Sequence, residues 1–160
     1  MNTKPESPIK CRFAHQDDVP FIYESLTQLM QEQNTQDKFS QTPESLFYAL
    51  FSEDKFAECI IAEVNNTSIA MLLFSTSHMN FTVFPSPGIY VHDIYVKPAF
   101  RRRGIASLLG DHLKAIACDR KYSRIDGIIL KDNESAMAFY HKIEDINVLD
   151  YIHYMRLKLF

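Results

Sequence analysis

Hydrophobic positions along this chain of 160 residues keep changing rhythm between helical and strand spacing. Val19, Ile22, Tyr23, Leu26, Leu29 and Met30 recur at helical intervals and predict a helix over about 18–32. Asp17 and Asp18 offer it an N-cap, and Pro20 suits its first turn. Thr42-Pro43-Glu44 starts a second helix, with a cap, a proline at the first position and an acid near the positive end. Leu46, Phe47, Leu50 and Phe51 form its apolar face. A third helix, 105–121, carries Ile105, Leu108, Leu109, Leu113, Ile116 and Ala117 on one side. Its end holds Arg120 and Lys121, where the helix dipole favours cations. Asp132 or Asn133 caps a fourth, with Ala136, Phe139, Tyr140 and Ile143.

The strands fill the gaps. Residues 9–14 alternate well enough for a short one. Residues 56–64 and 68–77 read as a pair joined by a tight Asn65-Asn66 turn. An irregular loop, 78–88, contains Pro85 and Pro87 and leads into a central strand from Tyr90 to Val96. Residues 124–130 carry I-x-G-I-I-L, which predicts a strand buried on both faces. Two late strands, about 146–150 and 152–159, close the chain. Strand, helix, strand across 90–130 predicts parallel neighbours joined by a right-handed crossover, whereas the earlier strands read as antiparallel. The expectation is one α/β domain over residues 9–160, after a polar tail of 1–8. Its mixed sheet has about seven strands and about four flanking helices.

Composition narrows the class. With 46% hydrophobic and 23% charged residues the chain reads as an ordinary soluble globular protein. A net charge of -3 gives no general pull toward nucleic acid or anionic membrane. The Arg101–Arg103 run is a local feature, with too few cations to hold a nucleic-acid backbone. No apolar run is long enough to cross a bilayer, and the polar start is no signal peptide, so a cytoplasmic location is expected. Cys11, Cys59 and Cys118 lack metal-ligand spacing and read as small buried hydrophobes in a reducing compartment. No metal is expected.

The chemistry concentrates in Y-V-H-D-I-Y-V-K-P-A-F-R-R-R-G-I-A-S, residues 90–107. A strand runs into a basic glycine turn and then straight into an amphipathic helix. Turn N–H groups and a helix N-terminus together suit a phosphate. Gly104 is one of only four glycines, and glycine allows backbone to approach a ligand closely. R-R-R-G-I-A lacks the lysine and hydroxyl of a P-loop and is not G-x-G-x-x-G. On spacing alone, a plain helix start with solvated arginines accounts for it equally well.

The second half of the chain shifts that balance. Arg101-Arg102-Arg103-Gly104-Ile105-Ala106 resembles the acetyl-CoA signature Q/R-x-x-G-x-G/A of the GCN5-related N-acetyltransferase (GNAT) family. The preceding frame of Val96, Pro98, Arg101 and Gly104 fits as well. The family's N-x-x-A-x-x-F-Y pattern stands as Asn133 to Tyr140, and 154–158 (Y-M-R-L-K) looks like its last strand. Within the family the chain is most similar to the diamine (spermidine/spermine-type) acetyltransferases, in the strand His92–Val96, the N-E-x-x-x-x-F-Y helix and, more loosely, Arg12, Ala14 and Asp18.

The resemblance implies acetyl transfer from acetyl-CoA to a small primary amine, by direct attack in a ternary complex. No cysteine is placed for a covalent acetyl intermediate. By the family pattern, backbone groups of Ile94, Tyr95 and Val96 hold the pantetheine arm and polarise the thioester. The turn from Arg101 through Arg102, Arg103, Gly104, Ile105 and Ala106 to Ser107 grips the diphosphate. Asn133 and Ala136 contact the cofactor, with Lys142 a partner for the ribose phosphate. Tyr140 sits where the family keeps its general acid, although its place beside Phe139 also suits a core aromatic. His92 replaces the glutamate of the diamine enzymes and reads equally as a base or as a half-buried strand histidine. Asp93 is expected on the opposite face and reads more as structural, although one of the pair must face the cleft, which keeps both as substrate-binding candidates. The loop that should form the acceptor lip offers Phe81 and Phe84 and no carboxylate, which argues against a polycation. After Tyr140 the usual glycine is missing. A homodimer is implied. The alternatives are acetylation of a protein or peptide amine, and a non-catalytic acyl-CoA sensor.

Overall fold

Four strands wind back and forth before the one parallel crossover, and the turns show why. In a computed structural model that describes residues 7–159, β1 (Lys10–Phe13) is followed by α1 (Val19–Glu32) and α2 (Pro43–Phe51). Then come β2 (Glu58–Val64), β3 (Thr67–Ser77), β4 (Gly88–Val96), α3 (Ile105–Asp119), β5 (Ile125–Gly127) and α4 (Glu134–Tyr140). Of the expected polar tail, residues 1–6 lie outside the described residues. Asn65 and Asn66 both take positive φ, 49° and 59°, as a two-residue hairpin turn requires, and Val64 pairs with Thr67 across them. The sheet order is β1-β2-β3-β4-β5, antiparallel up to β4, with β4 and β5 parallel on either side of α3. The mixed α/β sheet and four α-helices follow the sequence reading.

Alternation in β2 and β3 splits the core between the two faces of the sheet. Ile60, Ala62, Leu72 and Phe74 pack with Ile105, Leu109 and Leu113 of α3. Cys59, Ile61, Met71 and Leu73 pack with Ile22 and Leu26 of α1 and Leu46 and Leu50 of α2. Thr42 caps α2 as expected, its hydroxyl accepting from the Ser45 N–H at 3.1 Å. Lys121 closes α3 at φ 58°, and the Tyr122 N–H returns to the Ala117 carbonyl, so a lysine fills the left-handed place glycine usually takes.

Three expectations are corrected. The sheet has five strands, because among the described residues 146–159 form none. The I-x-G-I-I-L strand shrinks to Ile125–Gly127 and is not buried on both faces: β5 ends the sheet's order, and Ile125, Ile128 and Leu130 stay exposed. Asp18 precedes α1 but gives it no side-chain cap.

That aspartate is used elsewhere. Asp18 is 5% exposed and accepts from both terminal nitrogens of Arg12, at 2.7 and 3.0 Å, and from the His15 N–H at 2.8 Å. Arg12 also donates to Glu63 at 2.9 Å, which ties α1's start to β1 and β2. Burial pushes the Asp18 carboxyl up, but the Arg12 bonds and the His15 N–H outweigh it and hold it below the usual range. The ionised group therefore adds stability above its unfolded value near ~3.9, and the contribution disappears as pH falls through the lowered folded value. Asp18→Asn is expected to cost about 3 kcal/mol in chemical denaturation at neutral pH, because it strips Arg12 of its main partner.

The chain packs as two compact units, one ending at Ile128 and the other starting at Ile129.

Candidate active site

The first unit builds the site's backbone on β4. Leu73 of β3 pairs with Asp93 and Phe74 with Val91, so His92 is an extra residue in the ladder, a β-bulge. The bulge resets the direction of the N–H groups. Ile89 donates to the Arg124 carbonyl, toward β5, whereas Lys97 donates to the Ile69 carbonyl, toward β3, each at 2.9 Å. Donor direction alternates along a strand. Odd-numbered residues thus donate toward β5 before His92 and toward β3 after it. The even-numbered Ile94 and Val96 consequently point their N–H groups to the β5 side. No β5 residue accepts them, because pairing between β4 and β5 ends at Val91 and Gly127. A splayed strand edge with donors at Ile94 and Val96 results.

The same bulge places side chains. Val91 and Ile94 pack on the α3 face, while Leu73 and Tyr95 lie on the α1/α2 face. Asp93 stands opposite Leu73 and shares that second face. His92 reaches it too: its Nε2 meets the Ser75 Oγ at 2.9 Å, and its ring meets the Tyr90 ring edge-on at 4.9 Å. The expectation that Asp93 points away from His92 is corrected, since simple alternation breaks at the bulge. Burial pushes the Asp93 carboxyl up to about 6. Among the described residues it has no hydrogen bond or ion pair. Although His92 is exposed, partial desolvation also lowers its imidazole below the ordinary value, which favours the neutral ring near pH 7. On the same face a cavity of about 420 Å³ opens beside Tyr95, lined by Phe21, Glu24, Ser25, Gln28 and Lys97.

The basic turn has the form of an anion cradle. Arg102 takes φ 60° and Gly104 φ 75°, and such left-handed positions turn successive N–H groups inward. The N–H groups of Arg102, Gly104, Ile105, Ala106 and Ser107 find no backbone acceptor among the described residues. They stand at the N-terminus of the 15-residue α3, where the partial positive charge collects. Arg102 is exposed, and Arg103 lies over the Phe100 ring at 5.7 Å. Arg101 is differently occupied: its Nε donates to the Val96 carbonyl at 2.8 Å, and its outer nitrogen meets Glu32 at 2.6 Å. A diphosphate fits the donors of this turn, with Arg101 bracing β4 against the end of α1.

The second unit holds α4. The Asn133 Oδ1 accepts from the Ala136 N–H at 3.0 Å, so the two residues expected at a cofactor cap the helix together. Tyr140 is its last residue, half-buried, with its ring 5.1 Å from that of Phe139. In place of glycine, tight turns end the helix: Lys142 N–H to the Phe139 carbonyl and Ile143 N–H to the Tyr140 carbonyl. Lys142 itself is exposed. Phe81 is 74% exposed on the 78–87 loop, and Phe84 lies under Arg124. Sequence reasoning missed Ser75, which holds His92, because nothing in a strand's pattern announces a bulge two residues from its partner.

Similar proteins point the same way. Residues 21–144 match the family model described as the acetyltransferase (GNAT) family. A thialysine N-epsilon-acetyltransferase from Bos taurus is 25% identical over 137 residues, which cover 82% of this chain and 81% of that one. A ribosomal-protein-alanine N-acetyltransferase from Brucella melitensis biovar Abortus 2308 superposes with a TM-score of 0.74 at 20% identity, covering 94% of this chain and 99% of that one. An aminoglycoside N-acetyltransferase determined with CoA superposes at 0.73 with 15% identity, covering 98% and 99%. With a splayed β4, a glycine turn opening α3 and a family match over most of its length, the chain belongs to the GNAT acetyltransferase family.

Proposed function

We propose that this protein transfers the acetyl group of acetyl-CoA to the primary amine of a small molecule, by direct attack in a ternary complex. The observation that carries the reading is the bulge at His92. It turns the Ile94 and Val96 N–H groups to the open edge of β4, and it leaves His92 and a desolvated Asp93 side by side on the α1/α2 face. Acetyl-CoA supplies an activated thioester when bound. The turn from Arg102 to Ser107 holds the diphosphate, and the β4 edge holds the amide-bearing arm and draws charge onto the carbonyl oxygen. An amine attacks only without its proton. As the new N–C bond forms, the nitrogen becomes acidic enough to release a proton to a carboxylate with a pKa near 6. His92, its imidazole lowered by partial desolvation and held by Ser75, orients the acceptor nitrogen. Asn133, Ala136 and Lys142 belong to the cofactor side by their place in the motif.

Tyr140 takes the general-acid role on the same ground. Tyr140→Phe is expected to lower kcat about tenfold at neutral pH, a modest loss for an acid because a thiolate of pKa near ~8.5 departs readily. Calorimetry should find acetyl-CoA affinity unchanged in that variant. A homodimer, implied by the family resemblance, would bury apolar side chains such as Ile146, Val148, Tyr151 and Leu157 that the second unit leaves in solvent.

Thiol release from acetyl-CoA, followed over diamines, amino acids, aminoglycosides and short peptides, tests the proposal. Faster release with a peptide than with any small amine would move the acceptor to a protein. Binding of acetyl-CoA without release above hydrolysis for every amine would make the chain a non-catalytic acyl-CoA binder.

A further inference from the structure

The loop from His78 to Pro87 joins β3 to β4, and its first and last neighbours, Ser77 and Gly88, form the final rung of that ladder. Ser75, which holds His92, lies two residues in from Ser77 on the same strand face, so the loop leaves the sheet at the end toward which the His92 ring reaches, while Asp93, opposite Leu73, lies four rungs in. It has little internal structure: a turn at Asn80, whose carbonyl accepts from Val83 and Phe84, and a Ser77 Oγ bond to the Met79 N–H. Yet it presents Met79, Phe81 and Val83 to solvent, 46%, 74% and 70% exposed. Apolar side chains on a loose loop would ordinarily fold inward.

One residue outside the loop keeps it in shape. Arg124, the residue before β5, is 10% exposed along its side chain. Its NH1 donates to the Ser86 carbonyl at 3.1 Å, and its NH2 donates to the Met79 carbonyl, so one guanidinium gathers both ends of the loop. The guanidinium also lies over the Phe84 ring, 4.6 Å from its centre. Asp126 fixes the fork from behind, accepting from Nε at 3.0 Å. The passage is cut to fit: a Cβ at Gly88 would stand 2.6 Å from the Arg124 Cγ.

We propose that Arg124 is the positioning residue of an apolar acceptor lip, and that the lip selects amines carried on an apolar stem over polycations. The proposal rests on the acetyltransferase reading above. A planar, always-charged fork can hold two carbonyls and a ring at once, which a lysine cannot. With the loop so held, Phe81, Met79 and Val83 stand ready to cover an alkyl or aryl stem. The loop has no carboxylate to receive a second or third ammonium, and Asp126 beside it is already paired with the Arg124 guanidinium.

Steady-state kinetics on the full chain separate the outcomes, with an arylalkyl monoamine and spermidine as probe acceptors. The parent should favour the monoamine at least tenfold in kcat/KM. Arg124→Lys should raise the KM for the monoamine about tenfold, leave the KM for acetyl-CoA within twofold, and shrink the preference over spermidine. Phe81→Ala, which leaves the clasp intact, should reproduce the loss of preference. Equal rises in both KM values would make Arg124 structural only and overturn the proposal, as would a parent that prefers spermidine. Those results leave acetyl transfer standing. Absence of turnover with every amine removes the acetyltransferase reading, and this inference with it.

Discussion

Asp93→Asn is expected to lower kcat/KM for the acceptor by about two orders of magnitude and, in the same protein, to raise stability at neutral pH. The two effects share one cause. A carboxyl with a folded pKa of about 6 against ~3.9 unfolded binds a proton more tightly in the folded state. Between those values the folded chain holds more protons than the unfolded one, so stability falls as pH rises through the window and stays lowered above it. The cost of keeping the unpaired carboxylate ionised is on the order of 1–3 kcal/mol, and asparagine abolishes it. The activity runs the other way. The base must be ionised to take a proton, so parental kcat/KM should rise as pH increases through about 6, and that limb should vanish in the variant. Matched pH–rate and pH–denaturation series on both proteins check this. A variant that keeps its rate, or loses stability, would return Asp93 to a structural role.

Much of this architecture is legible in residue order, for reasons that stay local. The Asn65-Asn66 turn, the Thr42-Pro43 helix start and the apolar stripe of α3 each depend on neighbours within a few positions. The glycine turn is legible for the same reason, since Gly104 and the helix it opens are contiguous. What residue order conceals depends on partners far along the chain. Asp18 looks like a cap and serves instead as the counter-ion of Arg12. Arg101 looks like a phosphate ligand, yet its guanidinium is taken by Glu32, 69 positions away. The bulge is the costliest omission. Strict alternation assigns His92 and Asp93 to opposite faces, and only the pairing of Leu73 with Asp93 and Phe74 with Val91 shows the slipped register that unites them. The late strands fail differently. Tyr151 to Leu159 alternates as a strand should, but a strand needs a partner edge, and among the described residues this stretch has none.

Gly104→Asn should separate binding at the turn from folding. Position 104 sits at φ 75°, which asparagine tolerates better than other side chains, so the expected loss of stability is about 1 kcal/mol or less. Nothing lies within 4 Å of a Cβ built there, so the new side chain meets no protein atom close in. It meets whatever the turn binds. The N–H groups of Arg102, Gly104, Ile105, Ala106 and Ser107 have no backbone acceptor among the described residues, and a side chain rising among them keeps a diphosphate from closing to hydrogen-bond distance. Losing two such charge-assisted bonds, at about 1.5 kcal/mol each, predicts a hundredfold or greater rise in the Kd for CoA. Dephosphorylated pantetheine, which has no diphosphate, should bind both proteins alike. Isothermal titration with CoA and with pantetheine, beside a thermal melt, reads all three quantities. If CoA binds the variant as tightly as the parent, the diphosphate lies elsewhere and the turn is only a helix start. If both ligands weaken together, the substitution has disturbed the β4 edge instead, since that edge and not the turn is what the two ligands have in common.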